Sequence, residues 1–230
     1  EEVMQKAALV IANGATFSLL GPLDSSIKSS KPVVAICAVR TGAGKSPTSR
    51  FVVNFFRSKN YRVVVIRHPM PYGDLSKQVV QRFATFDDIA RNKCTIEERE
   101  EYEPHIRNGA VVYAGVDYEK ILRMAEKEAD VILWDGGNND LPFYMTDLHI
   151  TIADPHRPGH EILYYPGESN FMMADAIIIN KVNTAKNKNI QIVEDHAKFY
   201  NPKAKVIKAK LEITTKGEPI TRGKKALVIE

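Results

Sequence analysis

The residues best placed to do chemistry are Ala38-Val39-Arg40-Thr41-Gly42-Ala43-Gly44-Lys45-Ser46. Glycines in such a loop let backbone N–H groups turn inward, a following helix N-terminus adds positive potential, and a lysine reaches outer phosphate oxygens. Thr41, Gly42, Ala43, Gly44, Lys45 and Ser46 are therefore the expected cradle for the phosphates of ATP or GTP. The strict pattern asks for glycine at position 39, where this chain has Val39. A second element belongs with the first. The apolar run ending Trp134-Asp135-Gly136-Gly137 offers a carboxylate at a strand end. Asp135 with the Ser46 hydroxyl makes the oxygen set expected for Mg²⁺ beside the phosphates.

Other loops carry reactive groups at corresponding places. Arg67-His68-Pro69-Met70-Pro71-Tyr72-Gly73-Asp74 follows an apolar strand, with Arg67 and His68 candidates for a substrate phosphate and Asp74 for a metal or water. Asp154-Pro155-His156-Arg157-Pro158-Gly159-His160-Glu161 follows another. Its prolines exclude a regular helix, so His156 and His160 do not share a helical face. An anion site using His156, Arg157 or His160 is favoured there over a tight metal centre. Asn180-Lys181-Val182-Asn183 is close to the Asn-Lys-x-Asp turn that reads guanine. An amide at Asn183 cannot accept two hydrogen bonds as the carboxylate does, so guanine selectivity should weaken.

These loops need elements to hold them in register. Pro32 to Ala38 predicts a buried strand and Thr48 to Lys59 a helix. Strands are expected at 62–66, 110–114, 130–134, 148–153, 176–179 and 205–209. Helices are expected at 76–83, from Thr95 to Glu103 with a capping box to Glu98, from Asp117 to Glu128 and at 186–200. The acidic face of Glu97, Glu98, Glu100, Glu101 and Glu103 reads as exposed or as a lid, and Pro104 should stop or kink that helix. His105 has no assignment, Phe86 to Asn92 is ambiguous, and 167–170 reads as a turn. Near-continuous apolar strands alternating with helices predict a mostly parallel α/β sheet with helices on both faces, which binds ligands beyond the carboxyl ends of its strands. Ahead of it, Glu2 to Asn13 predicts a helix, 15–20 a short strand and 21–31 a linker. Residues 1–30 thus read as the remnant of a preceding domain or as an N-terminal arm, and 31–230 as the nucleotide-binding domain. Further strands are expected at 211–215 and 226–230 around a turn at 216–222. The end at Glu230, directly after an apolar run, suggests a piece of a longer protein.

Composition sets outer bounds. The chain has 230 residues, 44% of them hydrophobic and 26% charged, which suits one α/β domain with a sizeable core. A net charge of +4 without a basic stripe argues against nucleic acid and suits a phosphorylated small ligand. Cys37 and Cys94 are too few and too far apart for a zinc knuckle or disulfide framework. No run approaches the ~20 apolar residues of a membrane span. The expectation is a cytoplasmic protein.

The long motifs, with Thr95-Ile96-Glu97-Glu98-Arg99-Glu100-Glu101-Tyr102-Glu103-Pro104 among them, resemble a prokaryotic P-loop family labelled predicted GTPase, similar to the archaeal cyclic 2,3-diphosphoglycerate synthetases. The resemblance covers residues 31–230 and implies nucleotide at the loop, Mg²⁺ at Asp135 and a longer parent chain with a Rossmann-like domain in front. Arg40 lies five positions before Lys45, where the SIMIBI class of P-loop proteins carries an extra lysine. Two functions follow as expectations. One is a Mg²⁺-dependent enzyme that transfers a phosphoryl group to, or activates like a ligase, a small anionic metabolite, with Lys45, Arg40, Asp135 and Asp74 catalytic. The other is a GTPase-type homodimeric switch with slow hydrolysis, Arg40 crossing to the partner's phosphates.

Overall fold

The computed structural model describes residues 2–70, 74–137 and 140–212. In chain order they form α1 (Glu2–Ala12), α2 (Pro22–Ser25), β1 (Val33–Ala38), α3 (Lys45–Ser58), β2 (Val63–Arg67), β3 (Gln81–Phe83), α4 (Phe86–Arg91), α5 (Ile96–Arg107), β4 (Val111–Ala114), α6 (Tyr118–Ala125), β5 (Val131–Asp135), β6 (Leu148–Ala153), α7 (Gly167–Met173), β7 (Ala176–Ile179), α8 (Asn187–Tyr200) and β8 (Lys205–Lys208). Single 3₁₀ turns lie at Leu75–Lys77 and His160–Ile162.

The eight strands make one sheet in the order β3-β4-β2-β5-β1-β6-β7-β8. Every neighbouring pair is parallel except β3 against β4. Parallel neighbours require crossover connections, and the helices supply them on both faces. Period two in β1 divides the core. Val34 and Ile36 join Val53, Tyr102 and Leu133 under α3 and α5, while Val33, Ala35 and Cys37 join Leu122, Trp134 and Tyr144 under α6. A third cluster, with Ala153, Phe171, Ile179 and Val193, lies beneath α7 and α8.

Tertiary pairing overrode local pattern in several places. Residues 76–83 read as a helix, yet the stretch opens in the 3₁₀ turn and ends in β3. The edge of β4 offers ladder partners, and the Gln78 and Val79 carbonyls accept from Val116 and Asp117 N–H. Residues 15–20 form no strand, and no edge among the described residues pairs with them. The turn expected at 167–170 is the start of α7, anchored by buried Phe171 and by Asn170, whose amide donates to the Asp140 carbonyl. Pro104 does not end α5, which runs on to Arg107 and is closed by the Asn108 N–H on the Pro104 and His105 carbonyls. The ambiguous 86–92 stretch is α4, closed by a Thr85–Asp88 capping box. The linker's last residues are tied down. Ile27 bridges to Tyr144, and Ser30 N–H donates to Glu126. The strand at 226–230, the turn at 216–222 and most of the strand at 211–215 lie outside the described residues.

β6 also carries a test of the core. His149 is buried, and burial pushes its imidazole down to about 4 despite the pull of Asp175. Below the ordinary value of about 6.5 the unfolded chain takes up a proton that folded His149 refuses, so stability falls as pH drops from about 6.5 toward 4. Urea unfolding at pH 7 and pH 5 should differ by about 2 kcal/mol from this residue. In a His149→Gln chain that component should vanish. An unchanged difference would mean the imidazole is not kept neutral.

Candidate functional site

The loop 39–44 joins β1 to α3 at the carboxyl end of the sheet, and its departure from the strict pattern has a packing reason. Val39 is buried against Ala153, Phe171 and Ile177 and continues the ladder by donating to the Ile152 carbonyl. Its side chain fills core where glycine would leave a void. Gly44 is different. It has φ 108°, and a Cβ there would stand 2.0 Å from the Asn180 amide nitrogen. That amide donates to the Ala43 carbonyl at 3.0 Å. Lys181 Nζ reaches the Gly42 carbonyl at 2.5 Å and Asp154 at 3.0 Å. The end of β7 thus fixes the shape of the loop.

At the loop's floor lies a buried charge network. Lys45 Nζ stands 2.7 Å from one Asp135 oxygen, which also accepts from Ser49 at 2.7 Å. The other Asp135 oxygen accepts from Arg67 at 2.5 Å, with His105 Nε2 at 3.3 Å. Arg67 is itself buried and turns to Glu101 on α5. Burial would raise the Asp135 carboxyl, but Arg67 and Lys45, with His105, outweigh it and hold the group well below the usual carboxylate range. Asp135 is therefore an anion at neutral pH.

A cleft of about 1060 Å³ opens above this floor. One wall is the loop and the first turns of α3, and the other is the stripe Ile96, Arg99, Glu100, Glu103 and Arg107 of α5. The helix read as an exposed acidic face or a lid forms a wall of the cleft: Glu97 and Glu100 are exposed, while Glu98 turns to the core with Tyr102, His105 and Ile106.

The candidate residues fare unequally. Arg40, Thr41, Gly42, Gly44, Lys45, Ser46, Arg67, His68 and Lys181 line the cleft, with Ala43 and Asp135 buried beneath it. His68 stands 3.0 Å from Asp140. Arg40 is held by Asp154 of its own chain at 3.0 Å. Asp74 is not brought to the cleft. Its carboxylate caps the Leu75–Lys77 turn and pairs with Lys77 at the surface, because the residue two positions on offers an N–H within reach. Nor are His156, Arg157 and His160. His156 bonds Thr184, Arg157 reaches the His156 carbonyl, and His160 packs on Tyr164. Their loop is anchored by buried Glu161, which pairs with partly exposed His196 of α8, and none of the three lines the cleft. Asn183 engages the Leu211 backbone through both ends of its amide, donating to the carbonyl and accepting from the N–H. Asn138 and Asn139 lie outside the described residues. His105, Ser49, Asp154 and Glu101 were not expected. Ser49 could have been found, since it sits four residues after Lys45 on the same helical face.

A carboxylate and a hydroxyl are the hard oxygen ligands Mg²⁺ takes. Both Asp135 oxygens are engaged by cationic side chains and Ser49, so Asp135 fits the ion as a partner to its bound water rather than as a direct ligand. Among the described residues no group of three or more His, Cys, Asp or Glu is gathered for a metal. No described helix is long and apolar enough to cross a membrane.

No family model matches the sequence. Along its full length the chain is 61% identical to the arginine synthetase ArcE of Thermococcus kodakarensis, and it spans about half (51%) of that protein's length. The kinship to synthetases that the motifs implied is met in this relative. Among solved structures, the fold matches the hydrogenase maturation factor HypB of Archaeoglobus fulgidus (17% identity, 77% of this chain and 80% of that one, TM-score 0.50). It also matches LpxK of Aquifex aeolicus, solved in complex with ATP (14% identity, 77% and 54%, TM-score 0.52).

Proposed function

We propose, starting from a chain that has the P-loop NTPase fold and is kin throughout to half of an arginine synthetase, that it binds a Mg²⁺–nucleoside triphosphate and uses phosphoryl transfer to activate a small-molecule acceptor. What supports this reading most is the placement of Lys45. Its ammonium lies in the mouth of a glycine-turned loop and is held by Asp135, a partner that a phosphate oxygen can replace. Arg40 and Lys181, gathered by Asp154, add positive charge at the same edge. Once phosphate oxygens replace those carboxylates, the cations stand where charge develops on a transferring phosphoryl group.

Each residue's part follows from its setting. The backbone N–H groups from Gly42 to Ser46 take the phosphate chain, while Lys45 and Arg40 neutralise its outer charge. Ser46, with Asp135 behind it, would hold Mg²⁺, which when bound neutralises phosphate charge as well. Arg67 and His105 keep Asp135 ionised and aimed. The synthetase kinship favours transfer to an acceptor over a switch, and Arg40 bound within its own chain gives the switch reading no support.

Calorimetric titration with ATP and GTP in Mg²⁺ tests this. Both should bind, and GTP should show no preference beyond about tenfold, because an amide at Asn183 cannot accept from both guanine N–H groups as a carboxylate does. Absence of binding by either nucleotide would overturn the reading, and a hundredfold preference for GTP would overturn the role given to Asn183.

A further inference from the structure

The pair His68–Asp140 has no part in the reading so far. Arg67, the last residue of β2, turns to Asp135. His68 comes next and turns to the other side, in keeping with alternation along an extended chain. There its Nδ1 stands 3.0 Å from a carboxylate oxygen of Asp140. Neither Asp140 oxygen, nor that Nδ1, has a hydrogen bond to any other described group. Only 14% of the Asp140 side chain is exposed, against 29% for His68, and His68 lines the cleft together with Lys45. The carboxylate thus lies behind the imidazole, and Nε2 is left for the cleft.

Asp140 is held for this contact. Its backbone carbonyl accepts from the amide of buried Asn170 on α7 at 2.9 Å. Burial first, then the Asp140 charge, push up the Cys37 thiol on β1 and the Tyr118 phenol on α6, so both stay neutral. Neither gives the carboxylate a charge partner, and a largely buried carboxylate without a donor is costly. The imidazole N–H is the donor within reach. The contact has hydrogen-bond length but is not in line, and such contacts are often loose until substrate binds.

We propose that His68 is the general base of the transfer, its Nε2 taking the proton of the attacking group, and that Asp140 is the positioning residue that keeps the ring's own proton on Nδ1. A carboxylate behind an imidazole sets its tautomer and stabilises the imidazolium that forms. In the step, Nε2 removes the proton from an O–H or N–H of the acceptor. The acceptor's electron pair forms the new bond to the γ-phosphorus, and the bond from that phosphorus to the bridging oxygen breaks. Its electron pair leaves on the nucleoside diphosphate, beside Lys45, and the imidazolium returns its proton to solvent. This rests on the phosphoryl-transfer reading above and narrows it. A carboxylate acceptor has no proton to lose and needs no base, so the acceptor attacks through a group that carries one.

The test uses the full chain with Mg²⁺-ATP and water as the attacking group. His68→Gln should slow phosphate release about 10²-fold and leave the Kd of Mg²⁺-ADP unchanged. Added imidazole should restore turnover to His68→Ala but not to Lys45→Ala. Nitrogen NMR at neutral pH should show the ring signals that His68→Gln removes as those of a ring with one proton, on Nδ1. Asp140→Asn should move that proton to Nε2 and lower kcat at unchanged KM. Phosphate release left within about threefold of native in His68→Gln, or none from a native chain that binds ATP, would overturn the base. So would a ring protonated on both nitrogens, the state of a histidine that binds phosphate by charge. Should ATP fail to bind while the tautomer still follows Asp140, the nucleotide reading falls and the pair stands.

Discussion

Lys45→Ala should lower nucleotide turnover about 10²–10³-fold, the loss expected when one preorganised donor is withdrawn from developing negative charge. Lys45 is the cation at the junction of the loop with α3, directly over Asp135, and the cations near it are placed differently. Arg40 and Lys181 are tethered to Asp154, and Arg67 lies buried under Asp135. The fold should survive the change. Asp135 keeps Ser49, Arg67 and His105 as partners, so it does not become a lone buried charge. Phosphate release, measured beside the urea midpoint, checks both halves. Turnover within threefold of the native chain would remove Lys45 from the chemistry. A collapsed midpoint would show instead that Lys45 is structural.

Arg67→Leu should act in the opposite way, on stability first. Its guanidinium joins Asp135 to Glu101, and it is the largest of the influences that keep Asp135 ionised against burial. Removing one partner of a buried pair leaves an uncompensated charge and costs about 3–5 kcal/mol. Here the loss is softened by Lys45, which still faces the other oxygen, so the lower end is expected. It should appear in equilibrium unfolding at neutral pH. It should shrink in Arg67→Leu/Asp135→Asn, where the stranded carboxylate is gone. A single variant within 1 kcal/mol of native would mean that Arg67 contributes little to holding the site together. The same substitution also frees Glu101, and with it one anchor of α5 over the cleft.

Both predictions concern residues that the sequence made visible to different degrees. Lys45 was legible because a glycine-rich turn between an apolar strand and a helix constrains what the loop can do, wherever the rest of the chain goes. Asp135 was legible for a similar reason, as a carboxylate at the end of a buried strand. Arg67 was noticed as a strand-end cation, but its partner was not. Glu101 lies 34 residues away on a helix whose acidic face read as exposed or as a lid, and only the packing of α5 beside α3 brings the two together. His105 gave no signal at all, since nothing local distinguishes a buried imidazole beside a carboxylate from a solvated one. In the other direction, His156, Arg157 and His160 looked like a site because they cluster in sequence. Glu161 and His196 pin that loop and leave them outside the cleft.

By itself the sequence determined the parallel α/β sheet and the phosphate loop, since strand periodicity, turn glycines and capping residues act over a few positions and need no distant partner. Tertiary structure decided which charges meet. It set Asp135 among Lys45, Arg67 and His105, engaged the amide of Asn183 with Leu211, and brought Asp140 behind His68. Such pairings depend on the order of strands in the sheet and on how α3 and α5 lie across it, which no local pattern encodes.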